Sequence, residues 1–180
     1  SYKVALGGIV SALCLVTMFL AGILPALYLL LPMIAGVLLM IIAAEVSTGW
    51  ALLTYVSVSL LSLFVTFDKE AALVFIMVFG HYPIIRPYLQ KLRFKPMILA
   101  AKLVIFNVCA IAYFYVTVYI FGLDQMLEEF DEFGKYGAIV MLGMANAVFL
   151  LYDVNLSMIY KFYLKRPLPK FRKKDKAHII

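Results

Sequence analysis

Between Lys3 and Glu45 the chain runs 41 residues without a charged side chain. A bilayer core ~30 Å thick takes ~20 helical residues to cross, so this run holds two spans. Pro25 is the natural break, leaving 21 residues before it (4–24) and 19 after it (26–44). Proline lacks the N–H that a helix interior requires, so the two spans should form a tight hairpin, with Pro32 expected to kink the second. A cleavable signal sequence does not fit, because its apolar stretch is only ~7–15 residues long.

The remaining chain continues the pattern. A third span is expected over 46–67, with Ser47, Thr48 and Gly49 helping the turn before it. Asp68, Lys69 and Glu70 make a polar corner. A fourth, irregular span starts near Ala71 and carries Gly80, His81, Tyr82 and Pro83, then Arg86 and Pro87. The fifth covers about 96–121 with Lys102 inside it, an acidic loop fills 122–135, and the sixth begins near Tyr136 and runs past Asp153. These runs are long and continuously apolar, whereas barrel strands alternate over ~10 residues. The expected fold class is therefore all-α, a polytopic membrane protein of six transmembrane helices over 1–164, followed by a basic cytoplasmic tail over 165–180.

Composition supports the same solvent. Hydrophobic residues make up 66% and charged ones 14%, against about half and a quarter in soluble domains. A soluble enzyme, a nucleic-acid binder and a disordered adaptor are excluded. Of 16 Lys and Arg, 13 fall at Lys3, in 86–95 and in 161–176. The positive-inside rule puts those segments in the cytoplasm, and six spans bring both termini to one side, as this requires. Asp124, Glu128, Glu129, Asp131 and Glu132 then make the outer loop acidic. The basic tail would adhere to anionic lipid at roughly 1 kcal/mol per cation, or it simply obeys the topology rule. Cys14 and Cys109 read as small apolar fillers, with no metal spacing and no redox pair.

Polar residues inside spans carry the functional signal. A charge in the bilayer costs ~2.5–3.5 kcal/mol on insertion scales. At 1.5 Å per residue, Lys102 lies ~9 Å and Asp153 ~12 Å from the inner ends of their helices. They share a depth and are expected to form an intramembrane ion pair, either pinning two helices or coupling a transport step; Glu45 is a rival partner. Asn107 and Asn146 fall near the midplane, and Asn155 lies nearer the inner end. Buried amides either bond helix to helix at ~0.6 kcal/mol each or face a cavity and touch a solute. Pro83 should free the carbonyl of Phe79, and broken helices at the midplane recur at solute sites; a lone His beside such a kink also serves as a local hydrogen-bonding solution. The run Tyr113, Phe114, Tyr115, Thr117, Tyr119 reads either as an interfacial belt or as rings that stack on a ligand. Gly7 with Ser11, and Gly8 with Ala12, are small residues one turn apart, a spacing that lets another helix approach closely.

No phosphate-binding loop, zinc-helix motif or nucleophile elbow is present, so nothing supports an enzyme and no cofactor or metal is expected. The size, the six helices with both ends inside, the tight first hairpin and the small residues of helix one (Gly7, Gly8, Ser11, Ala12) resemble the substrate-binding S component of energy-coupling-factor transporters, the bacterial vitamin and metal uptake systems. The resemblance implies a cell-membrane protein that takes up a small, vitamin-like molecule and is energised by a separate coupling membrane subunit and ATPases. It implies docking through Gly7, Gly8, Ser11 and Ala12, and a solute in the outer half near His81, Tyr82, Asn107, Tyr113 and Asn146. Its acidic outer loop would disfavour an anionic solute. The main alternative is a non-catalytic membrane scaffold similar to a cell-shape protein of this size, which binds protein partners. A self-contained homodimeric transporter and an unrecognised enzyme complete the set.

The depth match gives a direct test. Asp153→Asn should destabilise the protein in detergent, and Lys102→Met in the same background should restore part of the loss. Additive losses in thermal unfolding would show that the two side chains do not interact.

Overall fold

A computed structural model describes residues 2–92, 94–122 and 136–165. Arg93, the acidic segment with Asp124, Glu128, Glu129, Asp131, Glu132 and Lys135, and the tail beyond Lys165 lie outside the described residues. The helices are α1 (Tyr2–Ile23), α2 (Leu30–Glu45), α3 (Thr48–Val65), α4 (Lys69–Val74), α5 (Tyr82–Leu89), α6 (Lys95–Tyr115) and α7 (Gly137–Lys165). A one-turn π-helix, Phe75–Phe79, follows α4, and a second, Val116–Ile120, extends α6. No strand occurs among the described residues.

Five stretches are long and apolar enough to cross a bilayer: Tyr2–Ile23, Thr48–Val65, Lys69–Leu89, Lys95–Ile120 and Gly137–Phe162. The chain is an all-α, multi-pass membrane protein. The second expected span is shorter than the sequence implied, because Pro25–Leu27 form a 3-10 turn and α2 has only 16 residues, ~24 Å of helix. Pro32 is the third residue of this helix rather than a mid-span kink. It lies in the first turn, where no N–H is called for.

The chain divides into two compact units, Ser1–Asn146 and Ala147–Ile180. In the first, α2 packs against α1, α3, α5 and the Phe75–Phe79 turn. Its core includes Cys14, Met18, Leu39, Ile42, Val58 and Phe75 together with Ala21, Ala35, Ala51, Ala71 and Ala72. Lipid tails are as apolar as leucine, so burial alone does not drive helices together in a membrane. Close van der Waals approach does, and small side chains permit it. In the second unit Phe149, Tyr152 and Leu156 are buried while Leu151, Val154 and Met158 are exposed.

The turns follow from local chemistry. Ser47 caps α3 by accepting from the Trp50 N–H at 3.4 Å. The Asp68 carboxylate caps α4, accepting from the N–H groups of Glu70 and Ala71 at 2.9 and 3.2 Å. The Lys69 ammonium reaches back to the Leu63 and Thr66 carbonyls at 2.7 and 3.0 Å. One tripeptide thus satisfies orphan acceptors at the end of α3 and orphan donors at the start of α4. Gly22, near the end of α1, lets that corner sit close: a Cβ there would stand 3.0 Å from the Phe67 backbone nitrogen and 3.1 Å from that of Asp68.

Because the atoms in the way are backbone, Gly22→Ala should cost about 1–3 kcal/mol, the range for overpacking. A Cβ at Gly49 meets nothing within 4 Å, so Gly49→Ala should not lower the melting temperature. Thermal unfolding of the two variants in one detergent checks the contrast.

Candidate functional site

The fourth span is broken, as Gly80, His81, Tyr82 and Pro83 led the sequence reading to expect, but the break is built one turn upstream of the proline. The Gly80 N–H bonds the Phe75 carbonyl at 2.7 Å, an i to i−5 bond that widens the helix. In a regular α-helix that N–H would have gone to the Ile76 carbonyl. The Tyr55 hydroxyl of α3 donates to Ile76 instead, at 2.6 Å. Gly80 makes room for this ring: a Cβ there would lie 2.7 and 2.9 Å from Tyr55 ring carbons. Pro83 then stands at the second position of α5, where its missing N–H costs nothing.

His81 is half-buried beside this turn. Its ring meets Tyr55 edge-on at 6.4 Å between centroids, and its Nε2 lies 3.5 Å from the Cys109 Sγ of α6. Which of the two groups donates is set by the tautomer of the imidazole. Tyr82 is buried, at 2% exposure. Cys109 is therefore more than the apolar filler that its sequence position indicated. Nothing in the sequence placed it opposite His81, because the widened turn sets the register between the two helices.

Asn107 and Asn146 come together. Each Nδ2 donates to the other's Oδ1 at 3.0 Å. Each also donates to its own helix, Asn107 to the Leu103 carbonyl at 2.7 Å and Asn146 to that of Leu142 at 2.8 Å. An amide NH₂ has two donors, so both groups spend all of theirs on this clasp.

The aromatic run at the end of α6 splits between its two readings. Tyr115 and Tyr119 are exposed and stack at 5.6 Å, as belt residues would. Tyr113 is half-buried, and Thr117 follows it one turn later on the same helix. Thr117 is 0% exposed and Thr66, on the adjoining turn, 1%. Neither hydroxyl has a hydrogen-bond partner. These two buried hydroxyls lie at the end of α3 and in the π-turn that extends α6.

On α1 the small residues separate by face. Gly7 is buried and points at Thr54, whose Oγ1 would be 3.9 Å from a Cβ. Gly8 and Ala12 are exposed, and a Cβ at Gly8 meets nothing within 4 Å. Ser11 is half-buried. Near the opposite end of the unit from Tyr113, Arg86 and Lys102 are buried, at 4% and 7% exposure. Asp153 belongs to the second unit and is half-buried there, and Ser157 Oγ donates to its backbone carbonyl at 2.8 Å. No group of three or more metal-ligating side chains occurs among the described residues.

No protein-family profile, no curated protein and no solved structure matches this chain.

The widened turn depends on one phenol. Tyr55→Phe leaves the Ile76 carbonyl without that donor, and losing a buried partner costs ~1–3 kcal/mol. Its melting temperature should fall, whereas Tyr119→Phe, at an exposed ring, should leave it unchanged. Thermal unfolding of both in detergent checks this.

Proposed function

We propose that the chain is the solute-binding integral membrane subunit of an uptake transporter, with both termini in the cytoplasm of a cell membrane. It would take up a small, vitamin-like molecule and be energised by a separate coupling subunit and ATPases. The observation that carries this reading is the widened turn in the fourth span, with His81 and Cys109 in contact beside it. Broken helices recur at the solute sites of membrane transporters, and polar side chains kept beside such a break are suited to contact a bound molecule.

The orientation fits. The positive-inside rule turns the Tyr113 end outward, where a solute would arrive, and turns Arg86 and the basic tail toward anionic lipid and the cytoplasm. His81 and Tyr82 lie deeper along the same span and would form the floor of the solute path. Asn107 and Asn146 would hold α6 and the start of α7 together beneath it. Docking falls to Gly8 and Ala12, since their side of α1 is open, while Gly7 and Ser11 serve packing within the unit.

The structure sharpens the docking test. Gly8→Leu adds a side chain with nothing in its way, so it should leave the melting temperature unchanged while abolishing co-purification of the coupling subunit and ATPases. Gly7→Leu should instead destabilise the chain through Thr54. Native mass spectrometry of gently extracted protein reads subunits and bound small molecules together. Unchanged subunit recovery with Gly8→Leu would remove α1 as the docking face, and protein partners without any small molecule would overturn the uptake reading.

A further inference from the structure

We infer that two copies of this chain pair in the membrane along α7, with the Asn155 amide of each copy hydrogen-bonded to that of the other. The pairing uses the second unit alone and holds whether or not the first unit binds a solute.

Asn155 is exposed, although it lies six residues before Lys161, ~9 Å deeper along the helix. An amide at that depth faces hydrocarbon, which neither donates nor accepts a hydrogen bond. One of its N–H groups is spent on its own helix, donated to the Leu151 carbonyl at 2.9 Å. An asparagine has a second N–H and an accepting oxygen, and among the described residues neither has a partner.

The chain shows elsewhere what completes such a group. Asn107 and Asn146 each donate one N–H to the carbonyl four residues back on their own helix. Each donates the other to the opposite amide oxygen. Asn155 repeats the first half of that arrangement, since its bond to Leu151 runs the same four residues back. What remains is one donor beside one acceptor, which is complementary to itself. Two copies inserted in the same orientation are related by a two-fold axis along the membrane normal, and such an interface uses one patch on both. The axis sets each residue at the depth of its counterpart, so the two amides meet without any shift of the helices. A single amide in an apolar helix seam is also a known way of fixing register and strand number.

The surface around the amide suits a second helix. At 100° per residue, Ala147, Leu151, Val154, Asn155, Met158 and Phe162 fall within an arc of ~100° around α7. All six are exposed. They make an uncharged stripe ~22 Å long. Ala147 permits close approach, and Met158 adapts its shape to what it meets. Lipid tails would cover the apolar members equally well. The amide is the one member that they cannot satisfy, and a second copy supplies its complement.

The test uses the full chain in phosphatidylglycerol vesicles, half of the molecules labelled at the C-terminus with a donor dye and half with an acceptor. Energy transfer is followed as lipid is added. It should persist beyond chance proximity in the wild type. Asn155→Leu should raise the dissociation constant on the order of five- to tenfold, the loss of two helix–helix bonds, and Asn155→Gln, which keeps the amide, should lose less. Met158→Cys covers the case in which Asn155→Leu fails to fold. Oxidation should join two copies of it far more than the wild type, which carries the same two native thiols. Val104→Cys, exposed on α6, should stay at the wild-type level.

A monomer at every lipid ratio, equal dissociation constants for the wild type and Asn155→Leu, or cross-linking through Val104→Cys as strong as through Met158→Cys would overturn the pairing. So would a different protein captured by Met158→Cys in native membranes in place of a second copy. Each of these results leaves the uptake reading in place, because none of the readouts involves a solute.

Discussion

Hydrocarbon offers no hydrogen bonds, so every backbone N–H and C=O inside a membrane must find its partner within the protein. Much of what is distinctive in this fold follows from that requirement. Where the helices are regular, the ladder meets it without help. Where the fourth span widens, it is met by a side chain from a different helix, the Tyr55 hydroxyl on the Ile76 carbonyl. Where α3 ends and α4 begins, it is met by Lys69 and Asp68 from both sides of the corner. These devices fix which residues stand at which depth, and so fix where polar chemistry is available.

The same requirement explains the economy of the core. Burial in lipid gains little for large apolar side chains, so the first unit is knit by alanines and glycines at its contacts and by a few specific hydrogen bonds. The Asn107–Asn146 clasp is one such bond set. Gly22 and Gly80 are another device of the same kind, since at both sites a single added carbon would meet a neighbour at 3.1 Å or less. The four small residues of α1 show how little of this is visible as a motif. Gly7 packs inward and Gly8 faces outward, although they are adjacent and belong to the same pattern.

Much of the architecture was legible because its signals are collective. Charge-free runs of twenty residues and prolines at their ends mark helices whatever their neighbours are. The extent of α2 was less legible, since the sequence does not reveal that residues 25–29 are spent on a turn. The sites were legible only as residue types. His81, Tyr82, Asn107, Tyr113 and Asn146 stand out as polar or ring-bearing in apolar surroundings, but their partners come from other helices. Tyr55, Cys109, Thr66 and Thr117 went unremarked as polar partners because each reads alone as an ordinary helical residue. What distinguishes them is register, and register here depends on two π-turns that no local composition announces.

Those π-turns tie the two polar regions together. One lies at Phe75–Phe79 and presents His81 to Cys109, and the other lies at Val116–Ile120 and carries Thr117 one turn after Tyr113. A π-turn inserts one extra residue into a helix and rotates everything beyond it by about 100° relative to what precedes it. In α6 that rotation lets one helix keep Cys109 and Tyr113 on its covered side, bury Thr117 and Val118, and still present Tyr119 and Ile120 to lipid. A regular helix of the same sequence would shift the residues after the turn around its axis and change which of them face lipid. Widened turns are uncommon because they give up hydrogen-bond geometry. Two of them stand in this unit, one where Gly80 admits the Tyr55 ring and the other where Thr117 and Val118 turn into the core.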